Sequence, residues 1–127
     1  MISRLCEVVK GVLNQCVEVN EACLKRSIAI ALGCVEEARV CEWRSDLKCG
    51  DRYIEVEPIE RILNGLCQAA AWRHVCGVQS LVLTYGSRVP EWLPKLASKI
   101  SVDVIFIHVK DLSILTVSSN GNVEAGC

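Results

Sequence analysis

The sequence predicts an α/β fold, a mixed β-sheet flanked by helices, and three observations carry that expectation. Residues 52–57, Arg-Tyr-Ile-Glu-Val-Glu, alternate strictly and read as a strand. Residues 59–76 follow with apolar side chains at helical spacing. Two short β-prone runs, 81–85 and 102–108, then enclose a helix-sized segment. The chain has 127 residues, of which 51% are hydrophobic and 23% charged, which suits one folded domain. Its apolar runs fall short of the roughly 20 residues that span a bilayer. No basic flank, apolar stretch and small-residue cleavage site combine into a secretory leader, so a cytoplasmic location is expected. The net charge of −1 excludes a protein that coats nucleic acid by charge alone, but not a local basic face.

The elements follow in order. Ile2, Leu5, Cys6, Val9, Val12, Leu13 and Cys16 make a helical stripe over 2–17. Asn20 can cap a second helix over 21–32, with Gly33 just past its end. These two helices could also run on as one. Residues 35–48 are ambiguous, with 38–43 favouring extended chain. Pro58 ends the 52–57 strand and suits the first turn of the next helix. That helix, 59–76, has Ile59, Ile62, Leu63, Leu66, Cys67 and Ala70 as its expected buried stripe, and Gly77 beyond its end. Pro90 and Pro94 bracket the start of a short helix reaching about Lys99. Residues 111–117 make a last strand after 102–108. A single domain over 1–117 and a flexible tail over 118–127 complete the expected organisation.

Nine cysteines stand at 6, 16, 23, 34, 41, 49, 67, 76 and 127. No two have C-x-x-C spacing, so neither a zinc ribbon nor a thioredoxin-like motif is supported. They can be small buried apolar residues. They can also be the intracellular disulfides typical of hyperthermophiles, archaeal ones included. The odd count leaves at least one thiol free or intermolecular, and Cys127 in the polar tail is the expected one.

The acidic hairpin holds the chemistry. Gly50-Asp51 forms a two-residue turn with Gly first, as a type II′ turn requires. Counting outward, Cys49 faces Arg52, Lys48 faces Tyr53, Leu47 faces Ile54 and Asp46 faces Glu55. Glu55 and Glu57 share a face by the period of two. Three carboxylates would then share one patch of sheet. Directly opposed like charges destabilise a hairpin unless something compensates. A divalent Mg²⁺ or Mn²⁺ is one candidate, since both prefer oxygen ligands. Arg44, facing Glu57, with Lys48 nearby, is the other. On the following helix Arg61, Asn64, Gln68 and Trp72 lie three and four apart as a polar stripe. Gln68 could position a water or phosphate there, and Trp72 could stack on a base or sugar. Equally, the stripe could be an ordinary exposed face.

Asp46, then Glu55-Val56-Glu57 on a strand, then Gln68-Ala69-Ala70-Ala71-Trp72 on a helix resemble the restriction-endonuclease-like nuclease core. The likeness is to its RecB-like and archaeal Holliday-junction-resolvase-like branches, and it covers roughly residues 20–108. That core carries D…(D/E)-x-K on a β-hairpin and a helix with Gln, often as Q-x-x-x-Y. The resemblance implies a metal-dependent DNA endonuclease or exonuclease, or an inactive relative that serves as a DNA-binding or assembly subunit. It makes Asp46 and Glu55 metal-binding acids, with Glu21 of the preceding helix as a third ligand. Glu18 and Glu7 are weaker choices for that ligand. Gln68 matches the helix glutamine, and Trp72 replaces the usual Tyr. Glu57 stands where the family has Lys and carries the opposite charge. A second Glu there can act as a general base or an added ligand.

DNA is the implied partner. Lys25, Arg26, Arg44, Lys48, Arg61 and Trp72 are the expected contacts to it, from a basic rim near the acids. A domain this small is expected to reach DNA as a homodimer or within a larger nuclease complex. The apolar 102–117 segment is a candidate interface as well as a candidate core.

Overall fold

The structure is a computed structural model that describes residues 2–127. Two helices come first, α1 (Ile2–Val12) and α2 (Glu21–Leu32), separated by a 3₁₀ turn at Leu13–Gln15 and an irregular link. α2 starts where Asn20 accepts a hydrogen bond from the Cys23 N–H, and it ends at left-handed Gly33. Three strands follow, β1 (Val35–Val40), β2 (Trp43–Cys49) and β3 (Arg52–Pro58). After a 3₁₀ turn come α3 (Ile62–Cys76), β4 (Gln79–Gly86), α4 (Leu93–Ile100), β5 (Asp103–His108), β6 (Ile114–Val117) and β7 (Val123–Ala125).

The strands form one mixed sheet in chain order. β1, β2 and β3 are antiparallel neighbours. β3, β4 and β5 are parallel, with α3 and α4 as the crossovers. β5, β6 and β7 are again antiparallel. Strand alternation then feeds two cores. Leu47, Ile54, Val56, Leu81, Leu83, Ile105 and Ile107 pack with Leu5, Val9, Leu24 and Ile28 of the first two helices. Val82 and Val104 pack on the other face with Ile62, Leu66 and Ala69 of α3 and Leu93 and Ala97 of α4. β3 therefore lies between β2 and β4 with helices over both faces. This buries Glu55 and Glu57 along with their apolar neighbours.

The expected α/β class and mixed sheet are present. The ambiguous 35–48 stretch is the β1–β2 hairpin, turning at Cys41 and Glu42. The 102–117 segment is core: every residue of β5 from Val104 to Ile107 is buried. The buried stripe of α3 is rotated from the expected one. Ile62, Gly65, Leu66, Ala69 and Trp72 face inward, whereas Leu63 and Cys67 are exposed. The apolar residues of α3 are spread around its axis, so its hydrophobic pattern does not select a face. The small residues Gly65 and Ala69 set the contact with the sheet.

The expected flexible tail is instead tied down. Val123–Ala125 pairs with β6, and Cys127 is bonded to Cys6 of α1. Cys16–Cys23, Cys34–Cys49 and Cys41–Cys76 are the other disulfides. The free thiol is Cys67, not Cys127. The oxidised alternative for the cysteines therefore holds for eight of the nine. Cys34–Cys49 closes the base of the β1–β2 hairpin, and Cys41–Cys76 ties its tip to the end of α3. Among the described residues no helix is long and apolar enough to cross a membrane.

Candidate functional site

The turn at Gly50-Asp51 brings β2 and β3 together as counted from the sequence. Cys49 pairs with Arg52, Lys48 with Tyr53 and Leu47 with Ile54. Gly50 has φ of +62°, the left-handed conformation that the first turn position demands. The ladder stops at Leu47, one residue before Asp46. From there outward β2 pairs with β1 alone. At this fork the Asp46 side chain replaces the missing ladder bond: its Oδ2 accepts the Val56 N–H at 2.7 Å.

Four carboxylates converge on the fork. Glu55 and Glu57 reach it from β3, Asp46 from β2 and Glu21 from the first turn of α2. Glu55 is only 5% exposed and lies within hydrogen-bonding reach of both Asp46 and Glu57. Burial, then the charge and hydrogen bonds of Asp46 and Glu57, push its pKa up to about 9. The site therefore favours the protonated form of Glu55, whose hydroxyl can donate a hydrogen bond to one of its neighbours. Glu21 is also raised, by burial first and then by the charges of Asp46 and Glu57.

Two cations enter the cluster. Lys25, one turn after Glu21 on α2, places Nζ 3.3 Å from Asp46 Oδ1 and 2.6 Å from Glu37 Oε2. Burial works against its charge, but Glu37 and Asp46 outweigh that and push its pKa up to about 12. Arg61 places Nε 3.1 Å from Glu57 Oε2 and Nη2 3.6 Å from Glu21 Oε1. Tyr85, at the end of β4, adjoins this group, and its hydroxyl pKa is raised by burial and by Glu21.

α3 lies close over the carboxylates because of Gly65. A Cβ added there would sit 3.1 Å from Glu57 Cγ and 3.6 Å from Glu55 Cγ. Beside Glu57 in the parallel ladder stands Thr84, fully buried, whose hydroxyl has no hydrogen-bond partner among the described residues. Four carboxylates, two bound cations and a buried hydroxyl make an oxygen-rich cluster short of positive charge. Those donors suit a hard divalent ion. The side chains as they stand do not coordinate one. Among the described residues no three His, Cys, Asp or Glu side chains are grouped to hold a metal, and Lys25 and Arg61 take up carboxylate oxygens instead.

The structure brings Asp46, Glu55, Glu57 and Glu21 together as the sequence reading expected. It disperses much of the expected nucleic-acid contact set. Trp72 is fully buried and offers no ring to a base. Lys25 and Arg61 turn into the acids rather than outward. Arg44 does not face Glu57. It is exposed and pairs in the ladder with Arg39 of β1, because β2 has already left β3. Lys48 lies over the Tyr53 ring at 5.5 Å, and exposed Arg26 pairs with Glu36. Gln68 is half-buried on α3. Sequence reasoning did not single out Glu37, Gly65 or Thr84, and it did not anticipate that Lys25 pairs with Asp46 and Glu37. The four-residue spacing of Glu21 and Lys25 was the signal that both share one helix face. The chain matches no protein-family model, no curated protein and no solved structure.

Proposed function

We propose that this chain is a metal-dependent deoxyribonuclease built on a restriction-endonuclease-like core, hydrolysing phosphodiester bonds in DNA. The observation that carries the reading is the convergence of Asp46, Glu55, Glu57 and Glu21 where β2 leaves β3. The order α2–β1–β2–β3–α3–β4 supports it, with Asp46 on one hairpin strand, Glu55 and Glu57 on the next and Gln68 on the crossover helix.

Asp46, Glu55 and Glu21 would hold Mg²⁺ or Mn²⁺, with the buried Thr84 hydroxyl next to Glu57 in the ladder. Such an ion supplies Lewis acidity at the phosphate and makes a water more acidic. Glu57 takes the proton of the attacking water. The water oxygen bonds to phosphorus, the bond from phosphorus to the departing deoxyribose oxygen breaks, and solvent protonates that oxygen. Gln68 orients the phosphate or the water. The partner is DNA, reached by a homodimer or within a larger complex. The four disulfides fit an oxidising compartment or the oxidised interior of a hyperthermophile, and a cytoplasmic location goes with the second.

A second reading is favoured by one observation. Asp46, Glu57 and Glu21 are already paired with Lys25 and Arg61. An inactive DNA-binding or assembly subunit could keep the acids in that paired state. Labelled duplex, single-stranded and branched DNA in Mg²⁺ and in Mn²⁺, with Glu55→Ala as the control, separates the two. Cleavage that vanishes in the variant is expected. DNA that stays intact across temperature, bound equally well by both proteins, would leave the subunit reading.

A further inference from the structure

We infer that a cleft at the other end of β3 from the carboxylates binds a small organic monoanion, an apolar body carrying one carboxylate. The cleft holds about 390 Å³. That lies within the roughly 300–1,000 Å³ of small-molecule sites. It opens between the first turn of α1, the last turn of α2 and the β2–β3 turn. Arg52, on its lining, stands three residues before Glu55 and five before Glu57, which along a strand is roughly 10–17 Å. The cleft is therefore separate from the acidic fork, and its ligand does not depend on the nuclease reading.

Strand alternation builds the lining. Arg52 shares with Ile54 the face of β3 that packs on α1 and α2. Gln79, its neighbour in the parallel ladder, shares that face with Leu81. Leu5 of α1, Leu32 of α2 and Ile54 supply the apolar part, and Arg4 and Arg52 supply the charge. Among the described residues neither arginine is in an ion pair, whereas Arg26 and Arg61 are both bound to glutamates. Arg52 is nonetheless half-buried. Drawing a guanidinium partly out of water without an anion is unfavourable, and a bound carboxylate offsets that cost. Asp51 is the one acid on the lining among the described residues, so the two arginines leave a single net positive charge. One carboxylate satisfies it, with the apolar body laid along Leu5, Leu32 and Ile54.

The walls are fixed before any ligand arrives. Cys49 lines the cleft and is bonded to Cys34, just past the end of α2, so Leu32 is tied to the hairpin. Cys6, next to Leu5 on α1, is bonded to Cys127. Gly50 lines the cleft at the turn, and a Cβ added there would meet nothing within 4 Å, so the cleft is open on that side. A preformed site gives up little conformational freedom when it binds. The helix end adds to the preference for an anion. The first turn of α1 holds no acidic residue and carries Arg4, so the positive end of the helix has no counter-charge of its own. A neutral ligand of the same shape would leave both guanidiniums unpaired. A bare inorganic anion would leave the apolar lining uncovered.

The experiment titrates the full, oxidised chain with octanoate, octanol and acetate by calorimetry, and maps octanoate by amide chemical shifts in isotope-labelled protein. Octanoate is expected to bind one to one with a Kd tighter than about 1 mM. Its shifts should centre on Leu5, Gly50, Arg52 and Ile54. Octanol keeps the chain without the charge, and acetate keeps the charge without the chain. Each should bind at least about tenfold more weakly than octanoate. Arg52→Gln should weaken octanoate at least about tenfold and leave octanol unchanged, the signature of a lost charge and not of a damaged fold. Octanoate weaker than about 1 mM overturns the proposal. So does octanol or acetate binding as tightly as octanoate, or a shift pattern centred on another face. If Arg52→Gln does not fold, Arg4→Gln at an exposed position of α1 decides, and an unchanged octanoate affinity there overturns the proposal.

Discussion

Removing the titratable carboxyl at Glu55 should change how stability depends on pH. Glu55 is 5% exposed, and desolvation together with Asp46 and Glu57 pushes its pKa up to about 9. An ordinary glutamate carboxyl titrates at about 4.5. A carboxyl with a raised folded pKa binds its proton more tightly folded than unfolded. Its stabilising contribution is complete below about pH 4.5 and is lost progressively as pH rises through about 9. Each pH unit inside that window removes up to about 1.4 kcal/mol, so on the order of 2–3 kcal/mol is lost between pH 5 and 7. For a domain of this size that is a fall in Tm of roughly 8–15 °C. Glu55→Gln keeps the shape and the donor but cannot ionise. Thermal unfolding from pH 5 to 8.5 in EDTA should give a steep decline for the parent and a flatter line for the variant. At pH 8 the variant should be the more stable of the two. Parallel profiles would refute the reasoning, because the proton held at the fork would then not belong to Glu55. Added Mn²⁺ should flatten the parent profile by taking over the role of the proton.

Three further outcomes follow from the same geometry. Gly65→Ala puts a Cβ 3.1 Å from Glu57 Cγ, so it should cost about 1–2 kcal/mol of stability and weaken the Mn²⁺ thermal shift, read by calorimetry with and without the ion. Cys127→Ser opens the bond to Cys6, 121 residues away, and should lower stability by about 2–5 kcal/mol in chemical denaturation, a loss that dithiothreitol reproduces in the parent. Trp72→Phe should lower stability by about 1–3 kcal/mol and leave DNA affinity unchanged in a fluorescence anisotropy titration, because Trp72 is fully buried; a large affinity loss would contradict that placement.

The sequence by itself determined the local features. Strict alternation over 52–57, a Gly-first turn at Gly50-Asp51 and the Asn20 and Gly33 caps are short-range properties. Their elements appear where they were expected, register included, for as far as the hairpin runs. The meeting of Asp46 with Glu55 was legible for the same reason. The face of α3 was not, because its apolar residues are spread around the helix axis and single out no one side. Its orientation follows from the fit of Gly65 and Ala69 against β3 and β4. Nor was the fork legible. Counting outward from a turn assumes that the ladder continues, and only tertiary structure shows β2 leaving β3 at Asp46 to follow β1. That departure puts Arg44 away from Glu57 and admits Lys25 from α2. Cysteine pairing lay beyond the sequence as well, since nine thiols permit many connectivities. Folding selected Cys6–Cys127 between the two ends of the chain, Cys16–Cys23 across the link between α1 and α2, and Cys34–Cys49 and Cys41–Cys76 at the base and tip of the β1–β2 hairpin. Short-range order is written in propensity and period. The charge balance of the site depends on which distant segments pack together, and residues far apart in sequence carry no local mark of that.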